Sequence, residues 1–133
     1  MKVLSVASEC VPFVKTGGLA DVVGALPGAL AGSGVEMRVL LPGYPAVLAA
    51  LGKRRALMTE DDLQGGKARV IAGEVAGVPV VAVDAPHLFD REGALYAGPD
   101  GNDWPDNPAR FAALSWIGAR IATEGLGAWT PDL

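Results

Sequence analysis

Two periods of apolar and polar residues succeed one another along this chain, and the switches between them mark its elements. Val3, Leu4, Val6 and Ala7 form a nearly continuous apolar run, the pattern of a buried parallel strand covered on both faces, over residues 2–7. Leu19, Val22, Val23, Leu26 and Leu30 recur at helical spacing and predict an amphipathic helix over residues 19–31. Gly18 is placed as its N-cap and Asp21 at its third position, where a carboxylate is favoured. Pro27 predicts a kink or an irregular last turn, and Gly32 and Gly34 a stop. Residues 35–41 read as a second strand, which completes a right-handed βαβ unit. Residues 47–51 suit a short helix, and residues 53–64 are polar without a clear period. Residues 68–75 and 78–83, separated by Gly77, read as a hairpin or two adjacent strands. Residues 90–107 are rich in Gly, Pro, Asp and Asn, which predicts a mobile surface loop. Phe111, Leu114, Ile117 and Ile121 make the apolar stripe of a helix over residues 108–124, with Asp106 or Asn107 as its cap and Pro108 at its first position. Residues 129–133 look like the entry to a further strand. Together these elements predict an α/β fold: a Rossmann-like, parallel-rich sheet with flanking helices.

Composition narrows the classes. At 133 residues, half of them hydrophobic and a fifth charged, the chain is one globular domain rather than a disordered segment. A net charge of −4 argues against nucleic acid or an anionic membrane as partner. The single cysteine, Cys10, excludes an internal disulfide and a Cys-based zinc site, and its place after a strand suits packing. His87 is the only histidine, so no His-pair metal motif exists and no metal is expected. No signal-peptide pattern or membrane-length apolar run is present, which makes the cytoplasm the expected compartment.

The candidate chemistry lies in Lys15-Thr16-Gly17-Gly18-Leu19-Ala20-Asp21, the turn between the first strand and the first helix. A helix N-terminus presents unpaired N–H groups and partial positive charge, a ready place for phosphate. Gly17 and Gly18 lack Cβ atoms, which allows close approach of a ligand and positive φ, and Lys15 adds a full charge. The alternative is a glycine turn that serves only strand–helix packing. The segment matches neither G-x-G-x-x-G nor G-x-x-x-x-G-K-[ST], which removes the main support for a dinucleotide oxidoreductase or a P-loop NTPase.

The same turn, with Ser8-Glu9 before it and Val22 after it, resembles the bacterial glycogen synthases. So do Arg38-Val39-Leu40-Leu41-Pro42, Asp84-Ala85-Pro86-His87-Leu88-Phe89-Asp90-Arg91, and Trp104-Pro105-Asp106-Asn107 followed by Arg110-Phe111. This family of ADP-glucose-dependent glucosyltransferases extends α-1,4-glucan and shares its class with plant starch synthases. The resemblance implies a GT-B fold of two facing Rossmann-like domains, of which residues 1–133 would be the first part of the N-terminal one. The family's His-Asp-Trp-His segment would follow Leu133, and the C-terminal nucleotide-binding domain would also lie beyond it. No catalytic residue is therefore assigned, and the chain alone is expected to be inactive. ADP-glucose and an α-1,4-glucan are the implied partners, with no cofactor. By resemblance Lys15, Gly17 and Gly18 contact ADP-glucose near its diphosphate, and Asp21 faces the sugars. Tyr96 suits a sugar contact or loop packing. Trp104 and His87 are expected to pack or fix loops, and Glu9 to brace the Lys15 loop by a salt bridge. The other reading is a non-catalytic glucan or sugar-nucleotide binding module, or an inactive fragment.

Overall fold

The computed structural model describes residues 1–133. Its elements are β1 (Lys2–Val6), α1 (Gly18–Ala31), β2 (Glu36–Pro42), α2 (Pro45–Leu51), β3 (Met58–Glu60), β4 (Ala68–Val75), β5 (Val78–Asp84), α3 (Pro86–Phe89) and α4 (Asn107–Glu124). One five-stranded sheet runs in the order β1-β2-β5-β4-β3. β1, β2 and β5 are parallel, with Val3 opposite Met37 and Val39 opposite Val80. β5, β4 and β3 are antiparallel. The hairpin between β4 and β5 turns at Ala76 and Gly77, with φ of 51° and 77°, the two positive values that match the twist of the flanking strands. β3, in the polar stretch without a clear period, pairs through Met58 opposite Val70.

The central strands carry the core. Val39, Leu40, Leu41, Val80, Val81, Ala82 and Val83 are all 1% exposed or less. β1 departs from the expected buried strand: it lies at the end of the five-strand order, and Val6 is 45% exposed. Its outer side is nevertheless engaged. Leu133 N–H donates to the Lys2 carbonyl at 3.2 Å, and Leu4 N–H donates to the Leu133 carbonyl at 2.8 Å. One residue bonded to both neighbours of Val3 is the pattern of a parallel pair; residues 129–133 form no strand, but Asp132 and Leu133 run alongside β1.

This placement makes β1 the point where the sheet changes direction. The chain leaves β1 through α1 toward β2, and leaves β5 through α4 toward residues 131–133 on the other side. Right-handed crossovers in opposite directions place their helices on opposite faces. α4 packs close over β1 and β2: a Cβ on Gly118 would lie 3.1 Å from Val6 Cγ2 and 3.6 Å from Leu40 Cδ2.

α1 starts one residue earlier than expected. Its N-cap is Gly17, without a side-chain capping bond, so Asp21 falls at the fourth helical position. Its buried face is also not the expected stripe. Ala20, Val23 and Pro27 are buried, whereas Leu19 and Val22 are 50% and 57% exposed. The helix sits too near its neighbours for large side chains: a Cβ on Gly24 would come 2.5 Å from Val11 Cγ2 and 2.7 Å from Val11 O. The helix continues through Pro27 to Ala31.

Candidate functional site

In a doubly wound sheet, ligands bind outside the carboxyl ends of the strands, where the strand order reverses. Here that place is the end of β1, where residues 8–16 lead into α1. The loops after the other parallel strands gather there. The Tyr44 hydroxyl, just after β2, donates to the Ser8 carbonyl at 2.9 Å, and the Tyr96 hydroxyl lies 2.7 Å from Ser8 Oγ.

Glu9 fixes the entry to α1. It is 4% exposed. One carboxylate oxygen accepts from the Thr16 N–H at 2.5 Å and from the Thr16 hydroxyl at 2.7 Å. Burial opposes ionisation of this carboxyl. The Thr16 hydroxyl, the N–H groups of Thr16 and Gly17, and the Tyr96 hydroxyl act the other way and hold it below its ordinary value. The brace expected from Glu9 is thus real, but its partner is Thr16 and not Lys15. A buried carboxylate gains more from backbone N–H donors at a helix entry than from a flexible ammonium in water.

Lys15 turns instead to Asp21. Its Nζ lies 2.6 Å from Asp21 Oδ2, and both side chains are about half exposed. The glycine turn is open: an added Cβ at Gly17 or Gly18 would meet nothing within 4 Å. Neither glycine has positive φ, and Gly17 is extended at φ −157°. Bareness, rather than a left-handed conformation, is what these two glycines contribute. Lys15, Gly17, Gly18 and Asp21 therefore lie together on one open surface. The Tyr96 ring lies 5.7 Å from the Phe111 ring, with its hydroxyl on Ser8.

The loop over residues 90–107 is tied down rather than free. Arg91 forms an ion pair with Asp106 and stacks over the Trp104 ring at 4.8 Å. The Asn107 amide donates to the Tyr96 carbonyl at 2.8 Å. Arg110, 1% exposed, is the anchor, and the apolar-stripe reading missed it. Its Nε donates to the Leu88 carbonyl at 2.7 Å, and its Nη1 to the Leu95 carbonyl at 3.0 Å and Asn107 Oδ1 at 2.8 Å. The available signal was positional, since Arg110 lies four and seven residues before the buried Leu114 and Ile117. Asp106, the N-cap of α4, makes no side-chain cap because its carboxylate serves Arg91. His87 fixes a loop through the Leu63 carbonyl, 2.7 Å from Nε2. Cys10 is fully buried, and burial pushes its thiol up to about 11, as suits a packing residue. No three His, Cys, Asp or Glu side chains converge as a metal-binding group.

The fold and site define an α/β unit of the Rossmann-like class, with an open glycine turn and an exposed cation at the carboxyl end of β1. The family follows directly. Residues 2–133 match the starch synthase catalytic domain, and the chain belongs to that family. It is 66% identical over 133 residues to a glycogen synthase of Cereibacter sphaeroides, covering 99% of this chain and 28% of that protein. It is 63% identical over 132 residues to a glycogen synthase of Paracoccus denitrificans, with the same coverage. Among solved structures it resembles the catalytic domain of starch synthase IV from Arabidopsis thaliana, bound to ADP and acarbose. The TM-score is 0.73 and the identity 27%, over 96% of this chain and 26% of that one. The chain thus spans little more than a quarter of its relatives' length.

Proposed function

We propose that this chain forms part of the N-terminal domain of a glycogen synthase. Its reaction transfers glucose from ADP-glucose to the 4-hydroxyl at the non-reducing end of an α-1,4-glucan, with retention at the anomeric carbon. The observation that carries the proposal is the open glycine turn with an exposed cation at the switch point of the sheet. As the bond from the anomeric carbon to the diphosphate breaks, its electron pair passes to the phosphate oxygen. In this reading Lys15 and the N–H groups at the start of α1 stabilise that charge. The exposed Lys15–Asp21 pair contributes only about 0.2–1 kcal/mol. A charge-assisted bond to a phosphate contributes about 1.5–3 kcal/mol. The diphosphate therefore displaces Asp21, whose carboxylate becomes free to accept sugar hydroxyls. Tyr96 retains acceptor capacity beyond its Ser8 bond for the same purpose. The reaction calls for no cofactor, since ADP-glucose is a substrate, and for no turnover by residues 1–133 alone. A cytoplasmic setting belongs to the same proposal, and no helix is long and apolar enough to cross a membrane.

The test is Lys15→Ala in the full-length transferase, with steady-state kinetics against ADP-glucose. The expected loss in kcat/KM is on the order of 100-fold or more. Wild-type kinetics would remove Lys15 from the site.

A further inference from the structure

Arg110 is a buried cation bonded to no carboxylate, with Asp106 acting on it only from a distance. The side chain is 1% exposed, yet it takes part in no ion pair. Its hydrogen-bond partners are three neutral oxygens, on Leu88, Leu95 and Asn107, and all of them are served by Nε and Nη1. Nη2 donates to nothing, and it is not among the fully sealed polar atoms without a partner, which are the indole nitrogens of Trp104 and Trp129. The Phe89 and Phe111 rings lie 5.6 and 5.5 Å from the guanidinium carbon. They soften the burial of a cation but supply no negative charge. A buried charge is ordinarily paired.

Beside this guanidinium is a cavity of about 370 Å³, lined by Arg110 itself and by Val14, Tyr44, Phe89, Arg91 and Leu95. Tyr44 and Phe89 meet edge to face, with centroids 5.8 Å apart. The walls are thus largely apolar around one unsatisfied donor, the make-up of a small-molecule site rather than of a water-filled gap. Arg91 is already neutralised by Asp106. Glu92, on the rim, is exposed, so its repulsion is screened.

We propose that this cavity binds a small carboxylate with an apolar body, the carboxylate on Nη2 of Arg110 and the body against Tyr44 and Phe89. The site is distinct from the Lys15 turn, though Val14 in its wall immediately precedes Lys15. It does not depend on the glucosyltransferase reading.

The test is an NMR titration of the 133-residue chain with benzoate, following the Nε–Hε resonance of Arg110, with benzamide as the neutral isostere. Benzoate is expected to shift the resonance saturably, and benzamide to bind at least about tenfold more weakly. Ala46→Phe, which fills the mouth from the exposed start of α2, is expected to abolish the shift while leaving the resonance in place. That variant keeps the test open should Arg110→Met fail to fold. A linear, unsaturated response, equal shifts with benzamide, or undiminished benzoate binding by Ala46→Phe would each overturn the proposal.

Discussion

At the scale of single residues, Glu9 is the position on which the turn depends. Its carboxyl is held below its ordinary value of 4.5 in the folded chain. A depressed carboxyl contributes stability that is present above its unfolded value and lost as pH falls through the folded one. The Thr16 clamp is therefore complete at neutral pH and releases only below about 4.5. Glu9→Gln is expected to cost about 1–3 kcal/mol at neutral pH. The difference in thermal stability between the variant and the parent should shrink as the buffer is acidified below 4.5. A difference independent of pH would show that the carboxylate charge is not what holds Thr16. Asp21 allows a second prediction. If its carboxylate only occupies Lys15, Asp21→Asn tightens binding of ADP alone by less than about fivefold, the limit for an exposed pair. If it also accepts sugar hydroxyls, the same variant weakens use of the glucan acceptor. ADP titration and acceptor KM together separate the two contributions.

At the scale of elements, two close approaches set the geometry of the site. Gly24 lets α1 lie against Val11, in the loop that carries Lys15. Gly24→Ala forces the helix or the loop to move, at a cost of about 1–3 kcal/mol. Chemical denaturation measures that loss, and amide exchange in residues 11–18 should quicken with it. The second is the anchoring of the 90–107 loop by Arg110. Arg110→Met removes three hydrogen bonds from a cation, at about 1.5–3 kcal/mol for each bond to a charged group before neighbours relax. The loop should then become the first site of limited proteolysis. Equal protease resistance in parent and variant would place the anchor elsewhere, on the Arg91–Asp106 pair. Composition suggested a mobile loop because Gly, Pro, Asp and Asn favour turns. The fixed arrangement comes from side chains that meet across the fold, such as Tyr96 with Ser8, at a separation no local pattern records.

At the scale of the molecule, β1 organises the whole. It has β2 on one side and the backbone of Asp132 and Leu133 hydrogen-bonded on the other, and the candidate surface lies at its carboxyl end. Large apolar side chains remain exposed at this side of the sheet, among them Val6 at 45% and Leu133 at 76%. A partly paired sheet edge flanked by such residues favours association. The isolated chain is expected to self-associate with rising concentration, and light scattering checks this. Val6→Lys should reduce the effect by placing a charge on that side.

The order of the elements other than β3 and α3, the parallel pairing of β1 with β2, the adjacency of β4 and β5 and the glycine turn after the first strand were legible in the chain. They follow from periods of two and 3.6 residues and from turn chemistry, which neighbouring residues set among themselves. Tertiary structure alone decided that Leu19 and Val22 face outward while Ala20 and Val23 face in, that Glu9 holds Thr16 while Lys15 holds Asp21, and that Arg110 is buried among carbonyls. Each of these depends on what an adjoining element brings within a few ångströms. Periodicity shows that a helix has an apolar side. How near the next backbone comes decides whether that side is filled by leucine or by alanine and glycine.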